Sequence, residues 1–146
     1  MEEDHEVLAH VDDYLKVAIE YDCSDIHLPA GYPPAWRRFG TLSPIWDTHA
    51  PLKPEDTERL ARSFLDDKNW EHLNKIGDID FAYASELGRF RASVIKQRLG
   101  YEIVFRIIST DIRTMEDLGL PIEHIKPLTR YPVSYTHLTL PTTPYV

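Results

Sequence analysis

The sequence predicts an α+β fold in which helices come first and an antiparallel meander follows. Two observations carry this. Apolar residues in the first part of the chain recur at three- and four-residue spacing, whereas three segments between residues 78 and 108 alternate apolar and polar positions. The helical stretches precede the meander instead of alternating with its strands, so no parallel sheet is implied. A length of 146 residues suits one domain with a modest core.

Val7, Leu8, Val11, Leu15, Ala18 and Ile19 form the stripe of an amphipathic helix over residues 3–21. Ile26 and Leu28 alternate in a short strand, and the string PAGYPP then turns the chain. AWRRFGTLSPIW reads as one or two strands bent at Gly40. A helix opens at Pro54, where Glu55 and Asp56 suit the positive N-terminal end and Leu60 and Phe64 point inward. A further helix is capped by Asp66 or Asp67, buries Trp70 and Leu73, and stops at Gly77.

The strands follow. Ile79, Phe81 and Tyr83 share a face, as do Phe90, Ala92 and Val94, and Tyr101, Ile103, Phe105 and Ile107. QRLG joins the last two strands as a four-residue hairpin loop. If Lys96 and Tyr101 close that loop, Arg91 lies opposite Arg106. Adjacent guanidinium groups repel, so the pair requires water, a bound anion, or acids such as Asp80, Glu86 or Glu102. Phe81, Phe90, Phe105, Ile103, Leu60 and Phe64 are expected to be buried together where helices cover the sheet. A linker and turn over STDIRTMEDLGLP lead to a short helix broken near Pro127.

Composition narrows the function classes. A net charge of −8 argues against a broad nucleic-acid or anionic-membrane surface. No apolar run reaches the ~18 residues that span a bilayer, so no direct membrane insertion is expected, and the acidic N-terminus is not a signal peptide. The single cysteine, Cys23, excludes an intrachain disulfide and fits a reducing compartment. No glycine-rich phosphate loop, zinc-ligand spacing or nucleophile elbow is present. His27 is either a polar contact at an interface or a hydrogen-bonded strand histidine. Asp78 and Asp80 either hold a metal or pair with arginine, and no metal site is predicted.

The ordered strings SDIHL, AGYPPAWRRFG, KPEDTERL, DIDFAYA, GRFRASVIKQR, VFRII and IRTMEDLGLP resemble the N-terminal domain of the PilT-type pilus-retraction ATPases, of the type II/IV secretion ATPase superfamily, over about residues 7–132. The resemblance implies a PAS-like α+β domain over residues 1–114, with helices packed on one face of an antiparallel sheet. It implies that residues 115–132 are a linker and the start of a RecA-like ATPase domain. The implied parent is a cytoplasmic homo-hexamer, peripheral at the inner-membrane base of the pilus. There it would work on the pilus platform protein, using ATP and Mg2+ to power retraction and twitching motility. Arg91 and Arg106 match the family arginines that reach the nucleotide phosphates, with Arg89, Lys96 and Arg98 weaker candidates for the same basic rim. Asp22, Cys23, Arg38, Phe39, Lys53 and Ser93 depart from the family pattern. The alternative is a stand-alone PAS-like interaction module without ATPase activity.

Residues 133–146 contain no Asp, Glu, Lys or Arg. Where the family runs into its phosphate loop, VSYTHLTLPTT resembles a translated transposon-end sequencing adapter. The expectation is a non-native tail on a chain truncated before its motor domain, so that this piece alone takes no cofactor and hydrolyses no ATP. The tail has neither helical nor sheet periodicity. Deleting residues 133–146 should therefore leave the melting temperature nearly unchanged. A loss above about 1–2 kcal/mol in a denaturation experiment, the scale of a genuine structural contact, would show that the tail belongs to the fold.

Overall fold

A computed structural model describes residues 7–47, 50–109 and 113–128. The chain divides into two compact units, residues 1–110 and 111–146. The first contains, in order, α1 (Val11–Glu20), β1 (Asp25–Pro29), β2 (Ala35–Arg38), β3 (Thr41–Pro44), α2 (Pro54–Phe64), α3 (Asp67–Ile76), β4 (Asp78–Ser85), β5 (Gly88–Gln97) and β6 (Gly100–Ile108). The strands form one six-stranded antiparallel sheet in the order β3-β2-β1-β6-β5-β4. In the second unit, Thr114 and Asp117 bond reciprocally in a turn, and α4 (Ile122–Leu128) follows with Pro127 inside it. The expected tail, residues 133–146, lies outside the described residues.

Helix α1 begins at Val11, four residues after Val7, where its apolar stripe starts. His10 caps it: Nδ1 accepts the amide of Asp12 at 3.1 Å, and the Asp13 carboxylate accepts the His10 amide at 3.4 Å. His10 Nε2 lies 3.0 Å from the Ser63 carbonyl, so the tautomer protonated at Nε2 satisfies both ring nitrogens. Val7 and Leu8 precede the helix and still pack against the core, which is why they extend its periodicity. Asp66 and Gly77 bound α3 as expected, the first accepting the amide of Asn69 at 2.8 Å and the second adopting φ 103°.

The sheet's two faces obey the two-residue pleat. Ile26, Leu28, Phe90, Ala92, Val94, Tyr101, Ile103 and Phe105 are buried beneath the helices, with Leu15, Leu60 and Leu73 above them. Phe64 is the hub of the aromatic cluster, its ring 5.1 Å from Phe105, 5.5 Å from Tyr83 and 6.0 Å from Phe81. Phe64 and Phe81 are only half-buried, because β4 is an edge strand. Trp70 is also half-buried, and the Arg62 guanidinium covers its ring at 3.9 Å.

The β5–β6 register is the expected one, Arg91 opposite Arg106, but pairing continues to Gln97 and Gly100. The connecting turn is therefore Arg98–Leu99, shorter than the four-residue loop expected. Gly100 has φ 135°, and a Cβ there would stand 2.8 Å from the Ala30 Cβ and 3.1 Å from the Pro54 Cα. This close approach lets the Tyr101 amide donate to the Thr57 hydroxyl at 3.2 Å, fixing the N-terminus of α2 over the start of β6.

Phe90 is 1% exposed and meets Phe105 edge-to-face at 6.4 Å. Phe90→Ala is expected to destabilise the domain by about 3–5 kcal/mol in chemical denaturation. A cost under about 1 kcal/mol would mean that the strand faces are assigned backwards.

Candidate functional site

The other face of the sheet carries no helix of the first unit in its centre and displays charge instead. Across four adjacent strands, register aligns Arg37, Asp25, Arg106 and Arg91 in one row, with Asp80 reaching Arg91 from β4. Asp25, Arg91, Ser93, Val104 and Arg106 line a hollow of about 150 Å³.

The two arginines are held by acids of different quality. Asp25 is only 4% exposed and accepts a hydrogen bond from Arg106 Nε at 2.8 Å and one from the Ser24 hydroxyl at 2.8 Å, while Arg37 Nε stands 3.7 Å away. Burial pushes the Asp25 carboxyl up, but the hydrogen bonds from Arg106 and Ser24 outweigh it and hold it below the ordinary value of 3.8. Asp80 stands nearer solvent. It chelates Arg91, whose Nε donates to both carboxylate oxygens at 3.0 and 3.1 Å while Nη2 adds a third bond. These bonds from Arg91 hold Asp80 below its ordinary range. Of the three ways to neutralise the pair, water, a bound anion or acids, the structure shows the third: each arginine has one ion pair. Neutralisation comes from within the fold, with Asp80 among the expected partners and Asp25 not foreseen.

The remaining basic candidates do not converge. Arg89 lies on the Arg91 face, opposite Ile108, and is exposed. Lys96 pairs with Tyr101 on the helix-covered face and donates to Asn74 at 3.2 Å, so it does not join the rim. Arg98 sits in the exposed β5–β6 turn. His27 lies one pleat from Asp25 on the open face, opposite Val104. Burial pushes its imidazole below the ordinary 6.5 despite the neighbouring Asp25. Asp80 is an arginine partner, and no group of three or more His, Cys, Asp or Glu side chains able to hold a metal occurs among the described residues.

The row can offer an anion the parts of the guanidinium forks that the acids leave uncovered. Arg106 is engaged through Nε, and its two Nη groups have no partner among the described residues; both arginine side chains are about two-thirds exposed. Two such forks suit phosphate oxygens.

The acids also set an acid sensitivity. Both folded values are depressed, so their stabilisation is complete above the unfolded value of 3.8 and is lost as pH falls through the folded values. Denaturation midpoints should hold down to about pH 5 and then fall. Asp25→Asn should cost about 1–3 kcal/mol at pH 7 and flatten that acid dependence, whereas Asp80→Asn should cost under about 1 kcal/mol because its pair is exposed. An unchanged acid profile in Asp25→Asn would remove Asp25 from this account.

No family model matches the chain. The type IV pilus ATPase PilU of Pseudomonas aeruginosa is 32% identical over 108 residues, which is 73% of this chain and 28% of that protein. The uncharacterized protein YggR of Escherichia coli K12 is 30% identical over 113 residues, or 77% of this chain and 33% of YggR. The crystal structure of the pilus retraction motor PilT with bound ADP superposes with a TM-score of 0.66 at 38% identity, covering 81% of this chain and 34% of that one. The chain thus spans about a third or less of the relatives it matches. The sheet order, the helices on one face and these matches together assign the chain to the PilT-type family of the secretion ATPase superfamily, as an N-terminal domain of one of its members.

Proposed function

We propose that this is the N-terminal domain of a hexameric ATPase that powers type IV pilus retraction, and that it supplies Arg91 and Arg106 to a nucleotide held by a motor domain. One observation carries the reading: the register of β5 and β6 sets the two arginines side by side on the open face, in a domain 38% identical to a retraction motor crystallised with ADP. Both side chains emerge into solvent, where a second domain can dock.

The residues present fit one wall of a nucleotide site. Bound ATP with Mg2+ would supply the phosphoryl group and the negative charge around it. On this side, the guanidinium groups of Arg106 and Arg91 would bind phosphate oxygens and orient them, and docking would exclude water and strengthen those bonds. The chain has no glycine-rich phosphate loop of its own, so the rest of the site belongs to the motor domain. In this reading the protein works in the cytoplasm, peripherally at the inner-membrane pilus base, against the platform protein. Domain rotation at the nucleotide would couple hydrolysis to movement.

The genomic reading frame beyond the codon for Pro132 should encode a phosphate loop within a few dozen codons; an early stop would favour a stand-alone interaction module. In the protein that joins this domain to its motor, Arg91→Ala and Arg106→Ala should leave assembly intact and sharply lower steady-state ATP turnover. Arginines that complete nucleotide sites elsewhere supply ~10³–10⁵ in rate, an upper guide here. Lysine should rescue little, since it keeps the charge and loses the fork. Near-wild-type turnover in both alanine variants would return the domain to the interaction-module reading.

A further inference from the structure

The two acids that neutralise the arginine pair differ in every property that governs how they respond to an anion. Asp25 is 4% exposed, and its carboxylate is bonded to Ser24 as well as to Arg106. It engages Arg106 at Nε, 2.8 Å away, and the terminal fork has no partner among the described residues. The Asp80 side chain is 43% exposed, and it occupies both Nε and Nη2 of Arg91. It therefore covers the edge of Arg91 that a phosphate would use for a two-pronged bond.

We infer that Asp25 is a positioning residue that aims the Arg106 fork at a phosphate, and that Asp80 is a competing carboxylate that the same phosphate displaces from Arg91. This deepens the reading of the arginine pair as a nucleotide contact and rests on it. A carboxylate buried on β1 cannot follow Arg106 into solvent, so it fixes the orientation of the planar guanidinium through Nε. The side-chain entropy of Arg106 is already spent before any ligand arrives. A water-exposed ion pair such as Arg91–Asp80 is worth little, so a multiply charged phosphate can replace it. Arg106 is thus the preset half of the site and Arg91 the half that engages only on exchange. Asp80 keeps Arg91 neutralised beside Arg106 until that moment.

Positioning and plain electrostatics predict opposite signs. If Asp25 and Asp80 were merely negative charges near an anion site, neutralising either would tighten anion binding. If Asp25 positions Arg106, its neutralisation weakens binding. The probe is inorganic tripolyphosphate titrated calorimetrically into the 146-residue chain at low ionic strength, with Glu102→Gln, the same charge change elsewhere on that face, as the reference. Asp80→Asn is expected to tighten binding about 1.5- to 5-fold relative to Glu102→Gln, the range given by the strength of an exposed ion pair. Asp25→Asn is expected to weaken it on the order of two- to tenfold while near-ultraviolet circular dichroism stays native. In nitrogen-15 spectra the Arg91 Nε–H should shift on saturation by more than the Arg106 Nε–H, because only Arg91 exchanges the carboxylate bonded at Nε. Tighter binding in Asp25→Asn, no binding by Asp80→Asn at millimolar tripolyphosphate, or an Arg91 Nε–H that stays put overturns the inference. Those outcomes are separable from failure of the functional reading, which is decided by ATP turnover in the Arg91→Ala and Arg106→Ala proteins.

Discussion

Everything on both faces of this domain depends on the register between β5 and β6. Side chains along a strand alternate with a period of two, so a slip of one residue would send Phe90, Ala92 and Val94 into solvent and bury Arg89 and Arg91. Burial of Phe90 and Phe105 under the helices opposes such a slip from the apolar side. Gly100 opposes it from the end of the hairpin, where no residue with a side chain could occupy the space against Ala30 and Pro54. The placement of Arg91 beside Arg106 is thus a by-product of the core: the packing that specifies one face dictates the other.

Bringing two guanidinium groups together costs free energy, and the fold offsets that cost in two ways. Asp25 lies on β1, the strand that joins the β2–β3 hairpin to the main meander, and it links Arg37 and Arg106 from either side. A buried carboxylate with several donors stays ionised because the hydrogen bonds outweigh desolvation. Asp80 stands at the opposite end of the row, on edge strand β4, where water weakens the pair. One acid is buried and held by several donors, and the other is exposed and bonded to Arg91. A chain with a net charge of −8 thereby keeps two arginine side chains together and about two-thirds exposed.

The strands were legible in the sequence because half-buried antiparallel strands announce themselves by alternation, and the Arg91–Arg106 pair followed from the hairpin. The start of α1 was not legible, because a histidine is an uncommon cap and the apolar residues before it serve the same core without being helical. Asp25 was missed as the partner of Arg106 because the two are 81 residues apart, and which strand lies beside β6 is a question of topology that alternation does not answer. Lys96 was grouped with the arginines only as a weaker candidate for the basic rim that the family resemblance implies. The period-two rule already placed it with Phe90 and Val94, on the other face. Arg38 and Phe39 depart from the family pattern at the β2–β3 turn, where Phe39 takes φ 49° and the Arg38 guanidinium lies 4.9 Å from its ring. Nothing in the fold requires that pair of residues there.

An exposed arginine pair is a weak binder by itself, since water and salt screen each guanidinium and a free phosphate is already well solvated. What the domain can contribute alone is geometry: a fork whose direction is set by a buried carboxylate, and a second fork close beside it. Strength comes only when another surface excludes water from the row, because the same charges interact several times more strongly at the lower effective dielectric of an interface. In the proposed reading the site is divided between this domain and a motor domain, and such a site responds to their relative placement. That is the property required of a domain whose proposed task is to convert hydrolysis at one place into rotation at another.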